Sequence, residues 1–317
     1  MPSEPYLLRL GRRLSAGLAS LPADARARHQ AFVLSRQNAD GGFSGREGGS
    51  DLYYTGFAVR TLSVLGVLSA ADCGKIAAFL KSCQRMQVTV IDLVSWLYCA
   101  LVVQAASGID VLHDFEPAWP ERLAELLESF RTRDGGYAKT HEGALGSTYH
   151  SFLVALCYEL IGKPIPQTPR LVQFVFDRQR DDGGFVEIAP MKKSGTNPTA
   201  AAAAILNMLG ALDNELRDDV ATFLREVRSG EGGFQANTRI PFADGLSTFT
   251  GVLTAQDLGL AGAFEIPRVD AFIRALELPD GGFKGASWDQ TADVEYTFYA
   301  LGTLGLVATV GREFVIR

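Results

Sequence analysis

The chain has 317 residues, 47% of them apolar, which is ample for a large buried core. Its net charge of −6 provides no basic surface, so nucleic acid is excluded as an expected partner. The four cysteines have no C-x-x-C spacing and are interpreted as reduced core residues. We find no secretory signal pattern and no apolar run of the roughly 18 residues that span a bilayer, so the sequence predicts a cytoplasmic protein without a membrane span.

The N-terminal segment, residues 1–22, places leucines at helical spacing with arginines between them. This pattern predicts an extra amphipathic helix that ends at Pro22. We expect this helix to pack on the outside of the first repeat. The next helix is predicted over residues 24–35, with Asp24 as its N-cap.

A Gly-Gly-aromatic core then recurs along the chain, and its second glycines are separated by 94, 48, 49 and 49 residues. The first interval equals two periods, so a copy without glycines is expected near residue 89, with a shorter loop over residues 84–91. Six repeats of about 48 residues, from about 24 to 305, and a tail over 306–317 then form one domain. The five visible copies are Gly41-Gly42-Phe43, Gly135-Gly136-Tyr137, Gly183-Gly184-Phe185, Gly232-Gly233-Phe234 and Gly281-Gly282-Phe283.

Each repeat contains one amphipathic helix with a charged face and one helix that is apolar nearly all round. The first kind is typical of an outer layer and the second kind of a buried one. We therefore predict an all-α fold, an (α/α)6 toroid of six helical hairpins around a central cavity. A kelch-type propeller has a similar period, but it needs strands where this sequence favours helices. The predicted inner helices cover residues 51–65, 92–104, 147–161, 197–209, 244–258 and 293–304.

The pattern Phe-x-x-x-x-Gln-x-x-x-Gly-Gly-Phe over residues 174–185 resembles the repeat of protein prenyltransferase β subunits and of squalene and terpene cyclases. Residues 49–66 and 77–84 look most like the β subunit of Rab geranylgeranyltransferase. The resemblance covers almost the whole chain. It implies the toroid, an isoprenoid-like apolar ligand and a protein partner similar to the family's α subunit.

The resemblance also implies a zinc site, built from Asp and Cys at the start of the fifth inner helix and His at the start of the sixth. Here these positions hold Asp244, Leu246 and Tyr296, so Asp244 is the only retained ligand position. No zinc and no other cofactor is predicted, although Asp244 with Asp293 or Glu295 leaves an all-oxygen magnesium site as an alternative. The candidate catalytic residues are Asp244, Asp293, Glu295 and Tyr296.

For the diphosphate of an isoprenoid, the resemblance implies cations from the loop before the fifth inner helix and a histidine from the fourth. The corresponding loop keeps Arg239, the histidine position falls near Asn197, and Lys192 and Lys193 lie one loop earlier. These four residues are candidate ligand-binding residues, since cations hold a diphosphate by charge-assisted hydrogen bonds. The alternative is that the cations are solvated loop residues.

Aromatic residues are concentrated in the first two turns of the inner helices, which indicates an aromatic-lined pocket for an apolar ligand. Tyr53, Trp96, Tyr149 and His150 are the candidate ligand contacts, with a structural role for His150 as the alternative. Some of the aromatic residues are expected to point outward between the helix layers instead. Residues at the helix starts are interpreted mainly as N-caps; they are Asp51, Asp92, Ser147, Asp244 and Asp293.

The sequence therefore favours a prenyltransferase β-like protein whose cavity takes an isoprenoid, its diphosphate or a similar apolar ligand. Zinc-dependent protein prenylation is not expected. Whether the chain is an enzyme stays open, with a divergent isoprenoid transferase or cyclase-type enzyme favoured. The alternative is a non-catalytic toroid that serves as a scaffold or interaction protein. Terpene cyclisation is the least favoured hypothesis, because the sequence contains no D-x-D-D acid motif.

Overall fold

The computed structural model describes residues 4–83, 89–113 and 117–309, and these ranges contain thirteen helices and one two-stranded sheet. The antiparallel strands are β1 (Phe283–Lys284) and β2 (Ala292–Asp293). In chain order the helices are α1 (Tyr6–Leu18), α2 (Ala23–Leu34), α3 (Leu52–Val64), α4 (Ala70–Ser82), α5 (Val90–Ser107), α6 (Trp119–Ser129), α7 (Thr148–Leu160), α8 (Thr168–Phe176), α9 (Thr196–Met208), α10 (Asn214–Glu226), α11 (Gly245–Asp257), α12 (Ile266–Ala275) and α13 (Val294–Val307).

Six helices form a closed inner ring. The helices α3, α5, α7, α9, α11 and α13 each pack against the next, and α13 packs back against α3. Around them, α2, α4, α8, α10 and α12 pack on α3, α5, α9, α11 and α13. Outer helix α6 packs on α7, where the Tyr158 hydroxyl donates to the Ala124 carbonyl at 3.2 Å. The predicted (α/α)6 toroid is confirmed.

The paired glycines let each loop pack against the next outer helix of the ring. Gly183 has a φ of +80°, and a Cβ atom there would lie 2.3 Å from the carbonyl oxygen of Asp219 on α10. A Cβ on Gly184 would lie 2.6 Å from the ring of Phe223 on the same helix. Only glycine fits so close to a helix backbone with this conformation. The regular spacing of the glycine pairs therefore results from the packing of each loop against an outer helix.

The same loop geometry closes the ring through α2. A Cβ on Gly281 would lie 2.5 Å from the carbonyl oxygen of Arg28, and one on Gly282 would lie 2.7 Å from the ring of Phe32. Nδ1 of buried His29 accepts a 3.2 Å hydrogen bond from the Gly282 amide. The outer helix of the first repeat is thus the packing partner of the last glycine loop.

Helix α1 lies across the C-terminal ends of the inner helices, so its predicted position outside the first repeat is wrong. It packs against α13, α3 and α7. Arg13 pairs with Asp257 at the end of α11 at 2.7 Å, and a Cβ on Gly17 would lie 1.9 Å from the Gly305 carbonyl oxygen. Leu14 and Leu18 are buried there. The leucine face of α1 needs an apolar surface, and the open end of the ring provides one.

Four of the predicted N-caps are confirmed. Side chains at the start of α3, α7, α11 and α13 accept backbone amide hydrogens; they are Asp51, Ser147, Asp244 and Asp293. Asp92 is different, because α5 begins earlier, and it forms a capping box with the N-cap Thr89. Asp24 does not cap α2, which begins after Pro22. The shorter loop expected over 84–91 falls largely on residues 84–88, outside the described residues.

Helix α5 corrects the expectation that no apolar segment is long enough to span a bilayer. Within the described ranges it has the length and the composition of a membrane-spanning helix, with 18 residues and a mean hydropathy of 1.7. It packs between α3 and α7 in the inner ring and under α4, and most of its residues are buried inside the protein. Burial within the ring accounts for its apolar composition.

Candidate functional site

The ring encloses a central cavity of about 860 Å³. We call the end where the inner helices begin its mouth, and the end covered by α1 its floor. Helix α9 lines the cavity mainly with alanines, whose small side chains leave the space open. Aromatic residues line much of the rest; they are Tyr6, Tyr53, Tyr54, Phe57, Tyr98, Tyr149, Phe152, Phe249, Phe298 and Tyr299. The volume and the lining are those of a site for a small apolar molecule.

The floor is apolar and is held by buried polar contacts. Leu7, Leu10 and Leu14 of α1 line the cavity. Beside them, the Tyr6 hydroxyl donates a 2.7 Å hydrogen bond to Oδ2 of Asp257. Burial and the charge of Asp257 raise the pKa of Tyr6 well above its ordinary value, so this phenol stays protonated.

Arg60, on the third turn of α3, is a cation inside this aromatic lining. Its guanidinium lies 4.9 Å from the ring centroid of Tyr98 and 5.4 Å from that of Phe57. Its Nε is buried without a hydrogen-bond partner, and no ion pair with Arg60 occurs in the described part of the chain. Sequence reasoning missed Arg60, because nothing near it in the sequence indicates that it faces the cavity.

Four of the predicted ligand-binding residues do line the cavity. Tyr53 and Tyr149 contribute to its aromatic wall, and Asn197 lies near the mouth, where its Oδ1 accepts a 2.8 Å hydrogen bond from Thr250. Lys193 is exposed and lines the mouth. Lys139, which sequence reasoning missed, lines it as well.

Trp96 points away from the cavity, which corrects the prediction that it contacts the ligand. Its indole nitrogen donates a 2.8 Å hydrogen bond to the Leu80 carbonyl of outer helix α4. Tyr98, two residues along α5, lines the cavity instead. Two residues correspond to about 200° around a helix, so these side chains face opposite layers.

The remaining three candidates also lie off the cavity wall as far as the described residues define it. Arg239 and Lys192 are exposed loop residues. His150 is half-buried, and its Nδ1 is buried without a hydrogen-bond partner. Burial, together with the nearby charge of Lys139, lowers the pKa of His150 to about 4, so its ring is neutral at physiological pH. Arg239 does not line the cavity as predicted, because the loop that carries it extends into solvent.

A second pocket, of about 600 Å³, lies where the glycine loops meet the starts of α11 and α13. We call it the rim pocket. It brings together all four candidate catalytic residues, Asp244, Asp293, Glu295 and Tyr296, which come from two different repeats. Its other lining side chains are mostly charged or aromatic; they are Arg46, Glu47, Tyr54, Ala286, Trp288 and Asp289.

The two aspartates among these four are engaged by the protein itself. Asp244 accepts hydrogen bonds from the amide and the hydroxyl of Ser247 at 2.7 and 2.8 Å, and burial raises its pKa. Asp293 accepts from the Tyr296 amide at 2.8 Å with one oxygen and from Arg46 Nε at 2.8 Å with the other. Both carboxylates therefore stabilise helix starts.

Arg46, from the first glycine loop, is a cation that sequence reasoning missed. Besides Asp293 it binds Asp289, with Nη1 3.1 Å from Oδ1. Although burial opposes the shift, hydrogen bonds from Arg46 and from backbone amides lower the pKa of Asp289 to about 2. The guanidinium lies 5.9 Å from the ring centroid of Tyr296. Arg46 thus places positive charge among the carboxylates of the rim pocket.

Glu295 lies between the two pockets. Its Oε1 accepts a 2.5 Å hydrogen bond from the hydroxyl of Tyr53, which lines the central cavity, while Glu295 itself lines the rim pocket. Burial is the main cause that raises the pKa of Glu295 to about 7, and the charge of Asp293 adds to it. A carboxyl with this pKa exchanges a proton readily at neutral pH.

The positions that correspond to zinc ligands do not face one centre. Leu246 lines the central cavity, whereas Asp244 and Tyr296 line the rim pocket. In the described ranges, no group of three or more His, Cys, Asp or Glu side chains is arranged to hold a metal ion.

A family model described as the prenyltransferase alpha-alpha toroid domain matches residues 10–96 and 87–312. A search of curated protein sequences gives no match. Among solved structures, the chain is similar to Candida albicans protein geranylgeranyltransferase-I complexed with GGPP, at 14% identity and a TM-score of 0.68, over 96% of this chain and 92% of that one. It is also similar to the type II terpene cyclase MstE from Scytonema, at 17% identity and a TM-score of 0.58, over 96% of this chain and 99% of the other.

The fold is shared beyond isoprenoid chemistry. The GH76A alpha-1,6-mannanase from Salegentibacter sp. HEL1_6 is similar at 12% identity and a TM-score of 0.59, over 90% of this chain and 99% of that one. Identities this low show the fold alone. The family match, in contrast, extends over nearly the whole sequence and agrees with the resemblance found in the repeats. The chain therefore belongs to the prenyltransferase alpha-alpha toroid domain family.

Proposed function

We propose that this protein binds an isoprenoid or a similar long apolar molecule in its central cavity. The observation that carries the proposal is the cavity itself, about 860 Å³ of mainly aromatic and aliphatic lining, covered at one end by α1. A sugar needs many polar partners, which this lining lacks, so a function in binding or cleaving sugars, as in the similar mannanase, is not favoured. Two of the similar structures contain geranylgeranyl ligands, GGPP in one and geranylgeranyl dihydroxybenzoate in the other.

If the ligand carries a diphosphate, we place that group at the mouth. Lys139 and Lys193 line the cavity there, and neither has an ion-pair partner among the described residues. Ammonium groups hold phosphates as flexible point charges. These two lysines replace Arg239 and Lys192, which extend into solvent, as the proposed diphosphate contacts.

As an enzyme acting on an isoprenoid diphosphate, the protein would transfer the isoprenoid group to an acceptor that enters from the rim pocket. The bond to the acceptor would form as the C–O bond to the diphosphate breaks, and the diphosphate would leave at the mouth. Glu295 is the proposed proton acceptor, since its pKa of about 7 suits general base catalysis at neutral pH. We propose no zinc-dependent step, because Leu246 has no donor atom and faces a different pocket. Magnesium at Asp244 and Asp293 is not favoured either, as their oxygens already accept hydrogen bonds.

Terpene cyclisation has less support than transfer. A carbocation formed in the cavity would meet the positive charge of Arg60 among the aromatic rings. At a separation of about 6 Å and an effective dielectric constant of about 20, this repulsion is roughly 3 kcal/mol. The charge would therefore oppose the reaction.

The second candidate function is a non-catalytic binding toroid, and it is favoured by the replacement of two zinc-ligand positions by Leu246 and Tyr296. A protein partner similar to an α subunit stays a prediction under either function. A cytoplasmic location also stays a prediction, and it is supported by the four cysteines, which are all free and buried.

Ligand binding can be measured by calorimetric titration with geranylgeranyl diphosphate and geranylgeraniol. Replacing Ala204, which lines the cavity on α9, with tryptophan fills part of the space, so Ala204→Trp is expected to weaken binding at least tenfold. Thr222→Trp adds the same side chain at an exposed position on α10 and should leave binding unchanged. The proposal fails if neither ligand binds the unmodified protein while a control transferase binds both.

A further inference from the structure

We propose that the inner end of the central cavity is an anion subsite, in which Arg60 binds the carboxylate of an amphipathic ligand whose apolar chain extends toward the mouth. The inference rests on the proposed function, namely that the cavity takes a long apolar molecule. It adds the chemical class of the ligand and the direction in which the ligand lies.

The position of Arg60 sets the depth of this subsite. It lies nine residues after Asp51, the N-cap at the mouth, which is about 13 Å along α3. Tyr98, whose ring packs on the guanidinium, reaches the floor helix, since a Cβ on Gly11 of α1 would lie 3.8 Å from the Tyr98 hydroxyl. The guanidinium also packs on Phe57, one turn nearer the mouth, so the cation lies inside the cavity and one tyrosine ring away from the floor helix.

Arg60 is half-buried and has no anionic partner among the described residues. Arg13 pairs with Asp257 and Arg178 pairs with Asp134, whereas Arg60 has no ion pair within the described part of the chain. The carboxylates of the floor are already engaged, because Asp257 also accepts from Tyr6 and Glu159 accepts from the Tyr6 amide. The two rings beside Arg60 stabilise a cation only in part.

An apolar chain end against Arg60 would leave its charge buried without an anion, which is unfavourable. A ligand that places its own anion there removes that cost. The isoprenoid would then lie with its charged end toward the floor, beside Tyr98, and with its hydrocarbon toward the mouth.

The chemistry of the subsite favours a carboxylate. One guanidinium balances one negative charge, and its planar donors match the two oxygens of a carboxylate. A diphosphate carries more charge than Arg60 alone can neutralise, and the groups that pack on its guanidinium are the rings of Phe57 and Tyr98. The expected ligand class is thus an isoprenoid or similar acyl chain that ends in a carboxylic acid.

The test compares three probes with the same C20 chain, namely geranylgeranoic acid, geranylgeraniol and geranylgeranyl diphosphate, by calorimetric titration at pH 7.5. The unmodified protein should bind the acid roughly ten- to a hundredfold more tightly than the alcohol, as expected for a charged hydrogen bond. Arg60→Met should abolish this preference and leave binding of the alcohol intact. Arg239→Met, which removes an exposed loop cation off the cavity wall, should leave the ratio of acid to alcohol unchanged.

The outcomes separate this inference from the proposed function. If the unmodified protein binds the alcohol as tightly as the acid, the inference is overturned while the proposed function stands. The same conclusion follows if the preference for the acid survives Arg60→Met, or if Arg239→Met removes it. Binding of none of the three probes would overturn both. The comparison on the unmodified protein needs no variant, so a folding defect in Arg60→Met does not prevent the decision.

Discussion

The phenolic hydroxyl of Tyr53 on α3 donates a 2.5 Å hydrogen bond to Oε1 of Glu295 on α13. This contact joins the first and the last inner helices, and it connects the central cavity with the rim pocket. Because burial raises the pKa of Glu295 to about 7, the carboxyl is partly protonated at neutral pH. The charge at the junction of the two pockets therefore changes within the physiological pH range.

Glu295→Gln is expected to alter how stability depends on pH. The folded protein holds the Glu295 proton more tightly than the unfolded chain does, since the pKa rises from 4.5 to about 7. The cost of ionising buried Glu295 is therefore absent below pH 4.5, grows between pH 4.5 and 7, and is complete above pH 7. The variant should gain up to about 3 kcal/mol over the unmodified protein at pH 8, and little at pH 4.

Urea unfolding at pH 4, 6 and 8 measures this difference. Glu47→Gln, an exposed substitution in the same pocket, serves as the control and should show no such trend. A difference between Glu295→Gln and the unmodified protein that is constant across the three pH values would contradict the raised pKa.

Gly17→Ala is expected to disturb the floor of the cavity. The added methyl group would overlap the backbone of Gly305, so α1 must shift away from α13. Overpacking of this kind costs about 1–3 kcal/mol. Thermal unfolding of this variant should be compared with that of Gly74→Ala, which adds a methyl group in open space on α4 and should be neutral or slightly stabilising. Equal stability of both variants would show that α1 is not seated by this glycine contact.

Arg46→Met is expected to destabilise the rim pocket. It removes the guanidinium from Asp293, which is only 4% exposed, and loss of a charged hydrogen bond costs about 1.5–3 kcal/mol. Asp289, whose pKa Arg46 helps to lower to about 2, contributes stability above pH 3.8 that is lost as the pH falls through 2. The defect should thus be measurable in urea at pH 7 and shrink toward pH 2. If the loss of stability were as large at pH 2 as at pH 7, it would be caused by lost packing instead.

The protein is expected to purify without stoichiometric zinc, because Asp244 lacks the Cys and His partners that complete a tetrahedral set. Metal analysis by mass spectrometry after dialysis tests this. Asp244→Ala provides the comparison. About one zinc per chain in the unmodified protein that disappears in Asp244→Ala would show that other residues complete the site.

The architecture was predictable because the repeat spacing reflects packing. Glycine pairs such as Gly183-Gly184 lie where a loop touches a helix backbone, so the spacing of their copies reports the spacing of the hairpins. The apolar composition of the inner helices then separates the two layers. The position of α1 was not predictable in this way, since its leucine face indicates burial but not which surface covers it.

The site was predicted less well than the fold, for two physical reasons. Aromatic residues on an inner helix face either the cavity or the outer layer. The composition of the helix does not show which side each residue faces, so it does not distinguish Tyr98, which lines the cavity, from Trp96, which contacts α4. The partners of the charged residues in the site come from distant parts of the sequence. Arg46 meets Asp293 from 247 residues away, and no local pattern indicates such a pair.

Closure of the ring through α2 has a consequence for the order of folding. His29 and Gly282, which meet there, are 253 residues apart in sequence. During synthesis the N-terminal helices are available first, yet α2 and the inner face of α3 find their last partners only when the sixth repeat has emerged. Contacts of such long range make closure slow. A chain that stops before Gly282 would therefore expose two unsatisfied apolar edges at once, and such a fragment should aggregate where the complete chain folds.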